Sequence, residues 1–240
     1  MHYDVIITAA GSGTRTGLDY NKIFLQILDK PCIVYSIQLF LKDTDVNNVF
    51  ITTQQKDEIQ MEQILIKYNL KDRVKLVLGS NTRQKSVYNA LKFVKSSYVL
   101  IHDGARPFAQ LTQIQDLKQR LNFDKAAILA IPATDTLKNV DACGQVARTL
   151  PRTNVYYAQT PQGFETDIIL KAHEQAVMTE FEATDDAQLV EHYSDDYDDT
   201  PLIQIVHGSK YNIKITSLED IVLAESYAVV LKKLNGGETK

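Results

Sequence analysis

Short apolar runs alternate with longer amphipathic stretches from the first residues of the chain to about Ile131. The apolar runs predict strands at 5–8, 48–52, 74–78, 98–101 and 126–131. The stretches between them have helical spacing and predict helices at 33–41, 57–68, 82–95 and 111–121. Strands that alternate with helices in this way form a mostly parallel sheet covered on both faces. The pattern therefore predicts an α/β sandwich.

The alternation changes after Pro132. Three short β-prone segments, at 134–138, 145–150 and 154–158, predict an antiparallel excursion from the main sheet. Helical periodicity returns at 167–178 and 185–193, where Thr184 is the expected cap of the second helix. A strand at 202–206 and a last helix at 218–234, ended by Gly236 and Gly237, complete the predicted elements.

The composition fits one large domain over residues 1–240. The chain is 44% hydrophobic and 23% charged, which favours a packed core over disorder. No apolar run reaches the ~18 residues of a membrane span, and the N-terminus shows no secretory signal. Cys32 and Cys143 are too few for a disulfide framework or a metal cluster. We therefore expect a cytoplasmic protein without a membrane partner.

The charge is unevenly distributed. The chain has 26 basic and 30 acidic side chains, for a net charge of −4. Ten of the acidic side chains, and no Lys or Arg, lie between Ala172 and Ser209, and we expect this window to be mostly solvated surface. The remainder carries a basic excess that suits a site for anionic ligands. It lacks the broad basic surface of a nucleic-acid binder, so we expect no nucleic-acid partner.

A glycine-rich turn follows the first predicted strand. It is Ala-Ala-Gly-Ser-Gly-Thr-Arg at 9–15, with Lys22 downstream. Such a turn lets backbone N–H groups approach a phosphate, and Arg15 and Lys22 suit a triphosphate that gains charge during reaction. The turn lacks the Gly-Lys-Ser/Thr of a Walker loop and the third glycine of the dinucleotide fingerprint. The alternative is a tight turn with two solvated cations.

Two more loops follow predicted strands. His-Asp-Gly-Ala-Arg-Pro at 102–107 places Asp103 where a carboxylate holds Mg²⁺, while small neighbours leave room for phosphates. The alternative for Asp103 is a helix cap or a turn, and we expect His102 to pack or hydrogen-bond instead of acting as a base.

The loop from Gly79 to Ser86, which contains Arg83, also follows a predicted strand. Its residue types suit contact with the edge of a nucleotide base; the alternative is that the loop only caps a helix.

Lys214 lies between two apolar residues in a strand-like run at 211–216. A lysine that points inward from such a run needs a counter-anion; the alternative is a surface lysine on an edge strand.

The three loops that follow strands are expected to converge on one crevice, since ligands bind beyond the carboxyl ends of parallel strands. The indicated chemistry is metal-assisted phosphoryl or nucleotidyl transfer. Acyl transfer is not indicated, because no Gly-x-Ser-x-Gly elbow or reactive cysteine is present.

The order of the motifs carries a resemblance to a known family. Ala-Ala-Gly-x-Gly-x-Arg with a downstream lysine resembles the sugar-nucleotide pyrophosphorylase signature. The resemblance is narrowed by His-Asp-Gly-Ala-Arg-Pro-Phe (102–108), Asp-Thr-Leu-Lys (135–138), Gln-Thr-Pro-Gln (159–162), Thr-Asp-Asp-Ala (184–187) and Asn-Ile-Lys-Ile-Thr (212–216). Across residues 3–228 the chain resembles the 2-C-methyl-D-erythritol 4-phosphate cytidylyltransferases of the non-mevalonate isoprenoid pathway.

The resemblance implies a three-layer, Rossmann-like nucleotidyltransferase fold with a protruding β-arm, and a role for each matching residue. The implied catalytic residues are Arg15, Lys22 and Lys214. The residues implied to bind CTP are Ala9, Ala10, Gly11, Gly13, Gly79, Asn81, Arg83, Ser86, Ala105 and Arg106. Asp103 is the implied Mg²⁺ ligand, and the implied methylerythritol phosphate ligands are Thr136, Arg152, Thr160 and Thr184. The arm, at 134–157, is implied to reach a second subunit, so that Arg152 acts in the partner's site of a homodimer.

The chain departs from the family pattern near its first loop. Asn21 and Ile23 flank Lys22 where the family usually has Pro and Gln, and Thr16 follows Arg15 where it usually has Met. The acidic stretch at 191–201 matches no family motif, and we interpret it as a solvated loop.

Three alternative functions share some of these features. Ribitol-5-phosphate cytidylyltransferases for teichoic acid synthesis resemble the chain around the first loop and Asn-Ile-Lys, but Ala105 and the Thr-Asp-Asp-Ala motif favour methylerythritol phosphate. A non-catalytic nucleotide-binding domain would not need cations on both substrate sides. A nucleic-acid nucleotidyltransferase would need a broad basic surface, against which the acidic window argues.

Overall fold

The computed structural model describes residues 1–11, 21–193 and 203–236, with side chains up to residue 234. The strands in these residues are β1 (Tyr3–Thr8), β2 (Gln26–Ile27), β3 (Lys30–Pro31), β4 (Val46–Thr53), β5 (Lys75–Leu78), β6 (Tyr98–Asp103), β7 (Ala126–Pro132), β8 (Leu137–Val140), β9 (Val146–Leu150), β10 (Tyr156–Glu165) and β11 (Ile203–His207). The helices are α1 (Cys32–Leu41), α2 (Glu58–Lys67), α3 (Arg83–Leu91), α4 (Leu111–Leu121), α5 (Thr166–Thr179), α6 (Asp186–His192) and α7 (Leu218–Gly236). Within the described ranges, no helix combines the length and the apolar character that a membrane crossing requires.

The main sheet has seven strands in the order β11-β7-β10-β6-β1-β4-β5. Its neighbouring strands are parallel except at β10, which is antiparallel to both β6 and β7. The predicted mostly parallel sheet is therefore confirmed. Because parallel strands run the same way, β1, β4, β5 and β6 end at the same edge, where the predicted loops follow.

Helices cover both faces of this sheet. Val5 and Ile7 of β1 pack in one buried cluster with α1, α2 and α4. Ile6, between them, packs in another cluster with α3, α5 and α6. This alternation follows from the pleat of a strand, which sends successive side chains to opposite faces. The predicted three-layer sandwich is thus confirmed, and a third, smaller cluster joins α7 to β2 and Phe108.

The prediction for residues 154–158 is wrong. Residues 156–158 are not part of the excursion but begin β10 in the main sheet, where Tyr156 pairs with Pro132. The middle of β10 is polar, and Pro161 lies where the pairing with β7 is irregular, between Ala158 and Gln162. Proline cannot donate a ladder hydrogen bond, and polar residues are atypical of a central strand. The sequence pattern therefore does not show β10.

The excursion itself is the antiparallel pair β8 and β9. Leu137 pairs with Leu150, and most of both strands is exposed. In the described residues this pair forms a sheet of its own, separate from the main sheet. An exposed two-stranded ribbon is only marginally stable alone.

The cap of α6 also differs from its prediction. Asp185, and not Thr184, is the N-cap, because its carboxylate accepts a hydrogen bond from the backbone N–H of Gln188 at 2.9 Å. The hydroxyl of Thr184 donates to the side chain of Gln188 at 3.0 Å. This leaves Thr184 at the surface just before the helix.

Candidate active site

A cavity of about 300 Å³ lies at the carboxyl edge of β1 and β6. Its lining collects residues from the three loops that follow strands and from the segment around Lys214: Ala9, Ala10, Gly11, Lys22, Asn81, Arg83, Ser86, Asp103, Ala105 and Lys214. The convergence expected for loops that follow parallel strands is therefore observed.

A second cavity of about 210 Å³ adjoins the first. The two cavities share Arg83, Asp103 and Lys214 as lining residues. The second cavity is also bordered by Arg106, Thr184, Asp185 and four residues of β10, one of which is Thr160. The site is thus two adjoining cavities with a charged wall between them.

Asp103 is the centre of that wall. It ends β6, is only 5% exposed, and faces three cations. Its carboxylate is 3.0 Å from Nε of Arg83, 2.7 Å from Nζ of Lys214 and 3.6 Å from Nε of Arg106. Burial raises the pKa of a carboxyl, but here the three cations outweigh burial and hold the pKa of Asp103 well below its usual range. Asp103 is therefore ionised.

Lys214 reaches Asp103 from an irregular segment and not from a strand, so the strand-like prediction for 211–216 is wrong. Two neighbouring contacts hold this segment against the site. The backbone N–H of Ile215 donates to Ala105 O at 2.9 Å, and Arg106 donates to Asn212 O at 2.8 Å. The prediction that an inward lysine needs a counter-anion is confirmed, with Asp103 as that anion.

Arg83 has a second buried partner that sequence reasoning missed. Its Nη2 atom is 2.7 Å from the carboxylate of Asp186, which is 1% exposed and also lies 3.6 Å from the ring of His173. Burial raises the pKa of Asp186, yet the Arg83 guanidinium and His173 keep it below its usual range. Asp186 belongs to the acidic window that we interpreted as solvated surface. Its place in the Thr-Asp-Asp-Ala motif was the available signal.

The backbone of Asp103 is fixed by Thr160. The Thr160 hydroxyl accepts from the N–H of Asp103 at 3.0 Å and lies 3.1 Å from Nδ1 of His102. The other ring nitrogen of His102 is 3.1 Å from Arg106 O. Because Nε2 can only donate to that carbonyl, Nδ1 accepts from Thr160. The expectation that the His102 ring packs or forms hydrogen bonds within the protein is confirmed.

The loop that begins at Gly79 packs directly on the end of β1. A Cβ atom at Gly79 would lie 2.4 Å from the Cβ of Ala10, so only glycine allows this approach. The Ser86 hydroxyl accepts from Ser80 N–H and donates to Thr82 O, both at 2.8 Å. Ser86 thus shapes the loop, while Asn81 at its tip is exposed beside the cavity.

The glycine-rich turn is described only at its two ends. The first end is Ala9 to Gly11, where Thr52 and Gln54 hold the backbone of Ala9 and Ala10. The second end is Asn21, followed by a short 3₁₀ helix at Lys22–Phe24. Of the predicted site residues, Gly13 and Arg15 lie outside the described residues, as does Thr16.

The arm residues Thr136 and Arg152 line neither cavity. Both are exposed, and Arg152 donates a hydrogen bond to Thr134 O. The structure of one chain therefore does not bring them to Thr160 and Thr184, the other two residues implied to bind the same ligand.

The pKa of His102 gives a direct test of this geometry. Burial lowers the pKa of His102 to about 4. We expect its ring, followed by NMR of histidine-labelled protein, to titrate near that pH. Because an unfolded histidine has a pKa of about 6.5, His102 contributes stability that is complete above that pH and is lost as the pH falls towards 4. A midpoint close to the unfolded value would contradict the buried, neutral ring.

Comparison with known proteins places the chain in a family. The family model for 2-C-methyl-D-erythritol 4-phosphate cytidylyltransferase matches residues 3–229. Curated relatives of that name from Bacillus cereus and Clostridioides difficile are 40% and 39% identical to the chain. The alignments cover 96% of this chain and 100% of the first relative, and 93% of this chain and 92% of the second.

Solved structures agree with the sequence comparisons. The crystal structure of 4-diphosphocytidyl-2C-methyl-D-erythritol synthase from Anaerococcus prevotii superposes with a TM-score of 0.83 at 33% identity, covering 95% of this chain and 96% of the other. That of 2-C-methyl-D-erythritol 4-phosphate cytidylyltransferase from Thermus thermophilus gives a TM-score of 0.78 at 29% identity, covering 95% and 100%. The chain therefore belongs to the 2-C-methyl-D-erythritol 4-phosphate cytidylyltransferase family.

Proposed function

We infer that the chain transfers a cytidylyl group from CTP to 2-C-methyl-D-erythritol 4-phosphate. The products are 4-diphosphocytidyl-2-C-methyl-D-erythritol and pyrophosphate, in non-mevalonate isoprenoid biosynthesis. The observation that carries this proposal is the charged wall: one buried carboxylate and three cations stand between two adjoining cavities. A cytoplasmic location is part of the proposal, because CTP is a cytoplasmic metabolite.

The reaction brings two polyanions together. A phosphate oxygen of the acceptor attacks the α-phosphorus of CTP, and the bond from that phosphorus to the bridging oxygen breaks as pyrophosphate leaves in line. The attacking phosphate is already anionic near neutral pH, so the step needs no general base and no covalent enzyme intermediate. Catalysis then depends on positioning and on positive charge near the α-phosphorus.

The cations divide between the two substrates. Lys22 in the first cavity, together with Arg15, would bind the CTP phosphates and stabilise the charge that develops in the transition state. Lys214 borders both cavities and would therefore lie beside the α-phosphate, where the two substrates would meet. Loss of one such donor typically costs a factor of about 10² in turnover, and we expect that scale for Lys22→Ala and Lys214→Ala.

The remaining first-cavity residues would hold the nucleoside. Backbone groups of Ala9 to Gly11, with Gly13, would approach the phosphates, and the Gly79 loop would hold cytosine and ribose. Asn81 contributes the exposed tip of that loop, whereas Arg83 and Ser86 shape and orient it. Ala105 and Arg106 lie next to Asp103, the proposed metal ligand, and the small Ala105 side chain would leave room for phosphates.

The acceptor would occupy the second cavity. Thr160 and Thr184 border it, and Arg106 and Lys214 supply positive charge for its phosphate. The Thr160 hydroxyl is already bonded to Asp103 and His102, so its contribution is to fix the wall of the cavity. Thr136 and Arg152 would complete this subsite from the arm.

The residues present fit a Mg²⁺ ion carried by the triphosphate. Asp103 is an ionised carboxylate on the cavity lining, and Mg²⁺ commonly binds one or two carboxylates together with substrate phosphates and waters. Among the described residues there is no cluster of three metal-ligating side chains, and substrate phosphates and waters would supply the further ligands. When bound there, the ion would neutralise part of the triphosphate charge, while Lys214 and Arg83 keep the Asp103 carboxylate oriented.

The arm predicted at 134–157, apart from residues 156 and 157 that belong to β10, would form a homodimer and deliver Arg152 to the partner's acceptor subsite. Support comes from the exposed apolar side chains of this ribbon, since Val140 and Val146 are 53% and 61% exposed. Arg152 lines neither cavity of its own chain. Contact with a second copy would cover these valines and complete the acceptor subsite.

Choice of acceptor is the direct test of the proposed function. We expect purified enzyme with CTP and Mg²⁺ to release pyrophosphate with 2-C-methyl-D-erythritol 4-phosphate, and far more slowly with ribitol 5-phosphate. The control is the same assay without an acceptor. Preference for ribitol 5-phosphate would overturn the assignment and favour the teichoic acid alternative, which the relatives do not support. CTP binding without turnover would indicate a non-catalytic nucleotide-binding domain.

Subunit complementation tests the arm. Arg152→Ala and Lys214→Ala homodimers are each expected to be poorly active. A heterodimer of one Arg152→Ala chain and one Lys214→Ala chain, purified through two affinity tags, has one site with both native residues if Arg152 acts across the interface. We therefore expect about half of the wild-type activity for this heterodimer. If Arg152 acts within its own chain, both sites lack one residue and the activity stays at the level of the single variants.

A further inference from the structure

One short segment holds both described ends of the glycine-rich turn. This segment is residues 54–57, which lie between β4 and α2. At the first end, Gln54 Nε2 donates to Ala10 O at 2.7 Å. At the second end, Asn21 Nδ2 donates to a carboxylate oxygen of Asp57 at 3.0 Å. The two ends are therefore fixed relative to each other through a part of the chain that is distant in sequence.

Asn21 is buried and fully hydrogen-bonded. It is 3% exposed, and its Nδ2 also donates to Ala9 O at 2.9 Å. Its Oδ1 accepts from the backbone N–H of Ile23 at 3.4 Å. Both amide protons and the amide oxygen thus have partners. Removal of one partner would leave a buried polar group unsatisfied, which costs more than the bond contributes.

The position of Lys22 follows from these bonds. Asn21 is the N-cap of the 3₁₀ helix that begins with Lys22. The same amide ties this cap to the end of β1 through Ala9 and to Asp57. Lys22 lines the first cavity, whereas Asp57 lines neither of the two cavities that form the site. The Asp57 carboxylate can therefore act on the first cavity through Asn21 without contacting the substrate.

We propose that Asp57 is a positioning residue for Lys22. We call two hydrogen bonds of Asn21 the latch: one to Asp57 and one to Ala9 O. The latch fixes the backbone of Lys22 at the cavity. The proposal rests on the proposed function insofar as Lys22 contacts the phosphates of CTP. Its physical basis is pre-organisation: a catalytic group displaced by about 1 Å can cost up to 10² in rate.

Asn21→Ala tests the other half of the latch. It removes the side-chain amide with its bonds to Asp57, Ala9 O and the Ile23 N–H, while it keeps the backbone N–H. Asp57→Asn is the conservative counterpart, because its amide oxygen can still accept from Asn21.

Kinetics and hydrogen exchange test the latch together. We expect Asp57→Ala to lower kcat/KM for CTP about tenfold and to leave KM for the acceptor within about twofold, because Lys22 borders the first cavity only. Amide exchange in the peptide spanning residues 21–25 should accelerate, while exchange elsewhere in the sheet stays unchanged. Asp57→Asn should retain most of the activity.

A double variant separates positioning from general destabilisation. In a Lys22→Ala background, Asp57→Ala should have little further effect on turnover, since the group that it positions is gone. The matched control is Asn48→Ala, which removes a 2.8 Å amide–carboxylate bond to Asp4 at the opposite end of β1. That control should change stability without changing kcat/KM for CTP.

Specific outcomes overturn the latch. Unchanged exchange at residues 21–25 in Asp57→Ala, or equal losses of activity in the wild-type and Lys22→Ala backgrounds, would contradict it. Loss of activity in Asn21→Ala at least equal to that of Asp57→Ala supports the latch, whereas full activity in Asn21→Ala contradicts it. Failure of the proposed function is distinguishable, because the wild-type enzyme would then make no product from methylerythritol phosphate, while the exchange measurement would still report on the latch.

Discussion

A buried carboxylate surrounded by three cations sets the geometry of this site. Asp103 is held at the end of β6 and is ionised despite burial, because Arg83, Arg106 and Lys214 all face it. An unpaired charge at this position would be strongly unfavourable, so the cations and the carboxylate depend on each other. The cations approach from three separate parts of the chain. Asp103 therefore brings α3, its own loop and the segment around Lys214 to one point.

The antiparallel strand β10 is the second constraint on the geometry of the site. It enters the sheet between β6 and β7 and carries buried polar residues where an apolar strand would be expected. Each of these residues makes a specific hydrogen bond. Thr160 fixes the backbone of Asp103, Gln159 holds the segment before Lys214, and Gln162 binds Asp185. Buried polar groups are tolerated when they are hydrogen-bonded. Through these bonds the second cavity is built onto the first.

The sequence predicts the α/β sandwich, because apolar periodicity records burial, and most of the first cavity, because loops after parallel strands must share one edge. For Thr160 and Thr184, which line the second cavity, the sequence offers only the resemblance to the family. It does not predict β10, whose polar residues are satisfied only by distant partners, or Asp186, whose burial depends on Arg83. The Asn21–Asp57 hydrogen bond cannot be predicted from the sequence pattern for the same reason, because it joins residues 36 positions apart.

The charged wall also explains why the two cavities are one site. Substrate phosphates would enter a region where the positive charges are already oriented, so little reorganisation is needed during the reaction. Asp103 restrains those charges, and Asp186 restrains Arg83 from the opposite side. The central claim is that the cations are held in place by a shared anion and not by packing alone.

The most direct measurement of that claim is a double-mutant cycle on the free energy of unfolding, with Asp103→Asn and Lys214→Ala. In the wild-type background, Lys214→Ala should lower the free energy of unfolding, because it removes a partner of Asp103. In the Asp103→Asn background the same substitution should raise it, because Lys214 then faces Arg83 and Arg106 without their shared anion. An equal effect of Lys214→Ala in both backgrounds would contradict the account.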